Sequence, residues 1–279
     1  MTNNAHLLFL LYFLAKILYK EGGSLFSIVF MSIFFTKKGK GPGVILLHGW
    51  GGSHLSMAGL QDQLYPLGYE VFNLDLPGFG ESPLINPAMT LNDYLKVLQD
   101  FIAEQKIENP ILVGHSFGGK IISKLALSAK IPIKGLVLIS ASCIKPQNDS
   151  KKSILRKITG FGKMIFSQPF LRPFFKPIRK FYYYYIVRER DFFDAGEKLR
   201  QTFINVNDIY LDDELTLINL PTLVIWGEVD KVTPLWMGEK IAELIPQARI
   251  EVVANARHNL IKEMPEIVSK IIYNYFNSI

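Results

Sequence analysis

Six short apolar runs along residues 44–254 restrict the fold of this chain more than any other feature. They are VILLH (44–48), EVFNLDL (70–76), ILVGH (111–115), GLVLIS (135–140), TLVIWG (222–227) and RIEVVA (249–254). Each has the length of a strand and is too apolar on both sides to be half-exposed, so each is expected to be buried on both faces. Amphipathic stretches at 54–66, 90–105, 117–129, 235–245 and 263–277 separate them and predict helices. Pro246 suits a helix stop, and Pro265 suits the first turn of the last helix. Strand–helix alternation predicts an α/β fold with a mostly parallel central sheet and helices on both faces.

One interval breaks the alternation. Between the runs at 135–140 and 222–227 there is no convincing buried strand; basic residues from Lys151 to Arg190 interleave with aromatics such as Phe161 and Tyr182–Tyr185, and Pro169, Pro173 and Pro177 punctuate them. The expected organisation is a core of residues 31–142 and 220–279 with an inserted helical cap at 143–219. The cap's charges read either as solvated faces of helices that bury their aromatics, or as marks of an apolar substrate tunnel or of a face that meets acidic membrane.

Composition removes several function classes. Apolar residues make up 49% and charged residues 20%, which supports a packed core and argues against disorder. A net charge of +6 is too mild and too dispersed to mark a nucleic-acid binder. The single cysteine, Cys143, excludes an intramolecular disulfide and leaves the cytoplasm as the default compartment. No CxxC, HExxH or EF-hand pattern occurs, so no metal is expected.

The N-terminal 30 residues are expected to be an apolar extension. Residues 5–19 and Leu25–Phe35 are apolar, yet Lys16 interrupts the first run, and neither reaches the roughly 18–20 residues that span a bilayer. Basic residues ahead of the first run and an A-x-A cleavage site are both missing, unlike a secretory signal. Three readings stand: a leader upstream of Met31 foreign to the native protein, a membrane-associating helix, or an ordinary packed helix. Membrane contact, if made, would run through residues 1–35, with membrane association as the alternative to the cytoplasm. The oligomeric state stays open.

The chemistry concentrates in GHSFGG, residues 114–119. Here Gly-x-Ser-x-Gly falls where a buried strand ends and a helix begins, the setting of a nucleophile elbow. So sharp a turn strains the backbone of Ser116 and tolerates only tiny residues two positions before and after it, which accounts for Gly114 and Gly118. The hydroxyl then stands clear at the carboxyl edge of the sheet, over a helix N-terminus that favours developing negative charge. A serine hydroxyl needs a base, and the base needs an orienting acid. Of five histidines, His258 follows the last predicted strand in ANARHNL, a loop expected over the same edge. His115 adjoins the serine but its strand turns it elsewhere, and the backbone of His48 in HGWGG is expected to matter more than its ring. Asp230 follows Trp226-Gly227, with Glu228 as the rival acid. The order Ser116, Asp230, His258 is that of the α/β-hydrolase triad. The amides of Phe117 and Trp50 are the expected oxyanion donors, and Trp50 and His115 the expected substrate contacts.

With these motifs the chain resembles the α/β-hydrolase-fold superfamily, as a cap-bearing, carboxylesterase-like serine hydrolase. The resemblance runs from about residue 32 to the end through HGWGGS, DLPGFGES, GHSFGG, PTLVIWGEVDKVTP and ARHNL. It implies the catalytic roles just given and a structural DLPGFGES loop, with no catalysis at Asp75 or Ser82. Two departures stand out. Arg257 occupies the position before the base where glycine is common. The family's opening hairpin is represented only by SIFFTKKGKGP, which resembles its second strand. The resemblance implies cleavage of a carboxylic ester of a small apolar substrate through an acyl-enzyme on Ser116, without a cofactor. Carbon–carbon bond hydrolysis, acyl transfer, or non-catalytic binding of a hydrophobic ligand are the alternatives.

Overall fold

The computed structural model describes residues 33–86, 88–128, 131–147 and 196–279. The expectations for residues 1–30, and for most of the cap, therefore lie outside the described residues. Seven strands form one sheet: β1 Phe35–Lys38, β2 Gly43–Leu47, β3 Glu70–Leu74, β4 Ile111–His115, β5 Gly135–Ile139, β6 Thr222–Gly227 and β7 Ala248–Val253. Their spatial order is β1-β3-β2-β4-β5-β6-β7. Only β1 runs antiparallel, pairing Phe35 with Leu74 and Lys38 with Val71. It lies within the SIFFTKKGKGP segment that resembles a hairpin's second strand.

Strands β2, β4, β5 and β6 are buried at every residue, as their continuous apolar runs require. β7 departs from the expectation of burial on both faces. Like β1 it is an edge strand among the described residues; its residues are mostly half-buried or exposed, and Val252 is 45% exposed. A neighbour on one side only leaves room for the charges of Arg249 and Glu251, which pair at 2.7 Å.

Helices cover both faces. On one, Met57, Leu60 and Leu64 of α1 (His54–Leu64) and Val268 and Ile272 of α7 (Pro265–Asn277) pack with Val44, Leu46, Val113 and Ile225. On the other, Phe72 meets Phe101 of α2 (Leu91–Glu104), ring centroids 5.9 Å apart. On this second face Trp226 crowds Gly238 of α5 (Leu235–Leu244) so closely that a Cβ there would sit 2.6 Å from the indole. The caps are legible locally: Ser53 and Thr90 each close a capping box that satisfies N-terminal amides of α1 and α2. Helix α5 ends at Leu244 with Ile245 extended, because a residue before proline is pushed out of the helical region. The expected helix at 263–277 is α7, opened by Pro265, and a short helix α6 (Leu260–Glu263) precedes it.

Helix α3 (Phe117–Ser128) follows β4 directly. The described part of the interval between β5 and β6 contains α4 (Gly196–Asn207) and a 3₁₀ turn at Leu215–Leu217. Among the described residues no helix is long and apolar enough to cross a membrane.

Candidate active site

Because β2, β4, β6 and β7 are parallel, the loops that leave their carboxyl ends share one edge of the sheet. Those loops carry Trp50, Ser116, Asp230 and His258.

Ser116 has φ +50°, in the left-handed region that costs a side-chain-bearing residue about 1–2 kcal/mol. Its surroundings hold it there. Its amide donates to the Ile139 carbonyl at 2.9 Å, and its carbonyl accepts from Ser142 at 3.1 Å and from Lys120 at 3.2 Å. The two flanking glycines answer to close packing: a Cβ on Gly114 would lie 2.5 Å from the Gly118 carbonyl, and one on Gly118 would lie 2.4 Å from the Leu47 carbonyl oxygen.

Asp230 and His258 meet. His258 Nδ1 donates to Asp230 Oδ2 at 2.8 Å. The carboxylate is fully enclosed and accepts further bonds from the Val232 amide (2.8 Å), the Thr233 amide (3.0 Å) and the Thr233 hydroxyl (2.9 Å). Burial alone would raise its pKa. The hydrogen bond and charge of His258, with the two amides, outweigh burial and hold the carboxyl below its ordinary value. Glu228, the rival acid, turns away and accepts from the Asn255 amide at 2.8 Å. Arg257 is exposed.

No hydrogen bond joins Ser116 Oγ to His258 among the described residues. The connection between the two loops is His115, which is buried and whose Nε2 donates to the His258 carbonyl at 2.9 Å. Burial, reinforced by the neighbouring His258 ring, lowers the His115 pKa to about 3, so the ring is neutral and serves as a strut. Expected as a substrate contact, His115 does not line the cavity beside Ser116; its strand directs it into the core.

That cavity has a volume of about 240 Å³, and Trp50, Ser116, Phe117, Lys120, Phe203 and Thr233 are among the residues that line it. Trp50 is wedged edge-on among Phe79 (5.0 Å between centroids), Phe117 (5.5 Å) and Phe203 (5.0 Å). Among the described residues, neither the Trp50 amide nor the Phe117 amide donates a hydrogen bond to the protein. For Phe117 this follows from its place at the start of α3, where helical amides have no internal partner.

Two contributors escape a reading of the sequence. The His48 ring, expected to matter less than its backbone, donates from Nδ1 to the Gly49 carbonyl at 2.7 Å and accepts the Leu76 amide on Nε2 at 3.0 Å. It thereby ties the Trp50 loop to the DLPGFGES loop, and burial lowers its pKa to about 4. Thr233, inside the quoted VDKVTP motif, places its hydroxyl between Asp230 and His258 Nδ1, at 2.9 and 3.2 Å. In the DLPGFGES loop, Asp75 is fully buried and binds the His54 ring at 2.9 Å.

Comparison with known proteins bears on the fold and the family. Residues 44–271 match the model of the alpha/beta hydrolase family. A pimeloyl-[acyl-carrier protein] methyl ester esterase of Aeromonas hydrophila is 28% identical over 261 residues, covering 88% of this chain and 99% of the relative. The protein of that name from Aeromonas salmonicida is 29% identical over 245 residues, covering 82% and 92%. Among solved structures, an esterase from Exiguobacterium antarcticum superposes with a TM-score of 0.67 at 22% identity, covering 88% of this chain and 95% of the other. A thermophilic esterase from Thermogutta terrifontis gives 0.66 at 21%, covering 88% and 93%. By fold, by the order of its motifs and by this match, the chain belongs to the alpha/beta hydrolase family, as a hydrolase with esterase-named relatives.

Proposed function

We propose that the protein is a serine carboxylesterase that works through an acyl-enzyme on Ser116. The observation that carries this reading is the 2.8 Å bond between His258 Nδ1 and the enclosed Asp230, on the sheet edge that also bears the strained Ser116. Asp230 fixes the tautomer in which Nε2 of His258 is the basic nitrogen. That nitrogen takes the proton of Ser116 as the hydroxyl oxygen attacks the ester carbonyl. The negative charge that develops on the carbonyl oxygen is met by the Trp50 and Phe117 amides, which among the described residues have no protein acceptor to give up. His258 then protonates the departing alcohol, and the same nitrogen activates water to release the acid. In a structure without substrate the serine–histidine bond is commonly open and closes in the complex. The small cavity and the aromatic wedge around Trp50 suit a short to medium acyl chain.

The esterase names of the Aeromonas relatives favour a methyl ester as one substrate form. The test is a chain-length series of p-nitrophenyl esters together with a fluorophosphonate label. Wild-type protein is expected to turn over short and medium esters and to be labelled at Ser116. Ser116→Ala is expected to lose turnover by a factor on the order of 10⁶ and to lose the label. A folded wild-type protein that takes no label would make this a binding protein instead.

A further inference from the structure

Lys120 lies one helical turn beyond Ser116, on the helix that begins at the elbow. It is 3% exposed and lines the same cavity as Ser116. A buried ammonium normally finds a carboxylate. This one does not: its Nζ donates to the backbone carbonyls of Val206 (3.1 Å) and Asn207 (3.4 Å) at the end of α4, and lies 5.6 Å from the Tyr210 ring centroid. Among the described residues no carboxylate oxygen lies within 4 Å of it. Asp208 acts on it only at longer range. An ammonium has three N–H donors, and two are taken by neutral oxygens. Burial lowers its pKa to about 8, which still leaves it charged at neutral pH.

Resting on the serine-esterase reading above, we propose that Lys120 is a specificity-determining cation that binds a carboxylate on the acyl part of the substrate, so that the preferred substrates are short half-esters of dicarboxylic acids. Charge and length argue for this class. A carboxylate would supply the anion that the enclosed ammonium lacks, in a charge-assisted bond stronger than either carbonyl contact. Ser116 and Lys120 line one cavity of only about 240 Å³, so the anion and the ester carbonyl fit on an acyl chain of a few carbons. A methanol leaving group needs little room, which leaves the cavity to the acyl part.

The experiment compares hydrolysis of monomethyl glutarate with that of methyl pentanoate, a neutral ester of equal acyl length. Wild-type protein is expected to favour the half-ester in kcat/KM by tenfold or more. In Lys120→Met that preference should invert, whereas Lys120→Arg should retain it. A purely structural role, clamping the end of α4, would lower both rates together and leave their ratio unchanged, which overturns the proposal. Should Lys120→Met fail to fold, inhibition of wild-type methyl pentanoate hydrolysis by free glutarate decides: competitive inhibition is expected, and equal weakness of glutarate and pentanamide overturns it. If the wild type cleaves neither ester, the esterase reading fails. The anion site is then read separately, as a thermal upshift of wild type with glutarate that Lys120→Met lacks; absence of that upshift sinks the site as well.

Discussion

Two clusters near Ser116, an acid–base wall and an aromatic wall, are built on different principles. On the acid–base wall, Asp230, Thr233, His258 and His115 are joined by hydrogen bonds of 2.8–3.2 Å, most of them to enclosed partners. On the aromatic wall, Trp50 meets Phe79, Phe117 and Phe203 through ring edges at 5.0–5.5 Å, and among the described residues its buried indole N–H has no hydrogen-bond partner. Directional bonds fix angles, whereas aromatic edges fix only volume. The first wall should therefore control the rate of chemistry, and the second should control which acyl group fits.

The largest effect that would test this contrast is on the acid–base wall. Asp230→Asn keeps the shape but removes the charge and the preference for the correct His258 tautomer, so kcat should fall by roughly 10⁴ with KM changed only a few-fold. A loss carried mainly by KM, measured with a p-nitrophenyl ester, would break the assignment of that wall to chemistry.

Acid titration sharpens the contrast next. His48 and His115 are held neutral by burial, with pKa values lowered from 6.5 to about 4 and about 3. As pH falls below 6.5 the unfolded chain binds these protons first, so stability is full above that pH and declines until the folded-state values are reached. For His48 alone the loss between pH 6.5 and pH 4 is about 3 kcal/mol. Urea unfolding at pH 7 and at pH 4.5 should show the fall, and His48→Asn should flatten the pH slope by about one proton. An unchanged slope in the variant would mean that the tether between the two loops does not depend on a neutral ring.

The smallest effect is on the aromatic wall. Phe203→Leu removes one ring edge from Trp50 and should change kcat/KM by about tenfold or less, through KM, while moving the preferred p-nitrophenyl ester to longer acyl chains. A change confined to kcat would erase the distinction between the walls.

Much of this could be read in the chain beforehand. Six of the seven strands coincide with apolar runs to within a residue or two; for all of them but β7, the reason is that a strand buried on both sides has little freedom in composition. The elbow was legible through Gly114 and Gly118, whose packing against Gly118 and Leu47 leaves no space for a Cβ. What the chain hides is distance. Nothing local marks β7 as an edge strand. His48 meets an amide 28 residues away, and Lys120 meets a carbonyl 86 residues away. Such partners are chosen by the sheet order and loop paths, and no short motif records them. For His115, strand alternation shows that the side chain points inward, but not that the His258 carbonyl waits there.

Gly118 has a mechanical consequence beyond allowing a tight turn. Its missing Cβ lets α3 rest directly on the carbonyls of Leu47 and His48, the residues that launch the loop of Trp50. Ser116 and Trp50, the proposed attacker and charge-holder, are thereby seated on one block. When warming makes this part of the molecule breathe, the two should drift in concert, so turnover is expected to survive up to the temperature at which the block itself comes apart and then to cease abruptly.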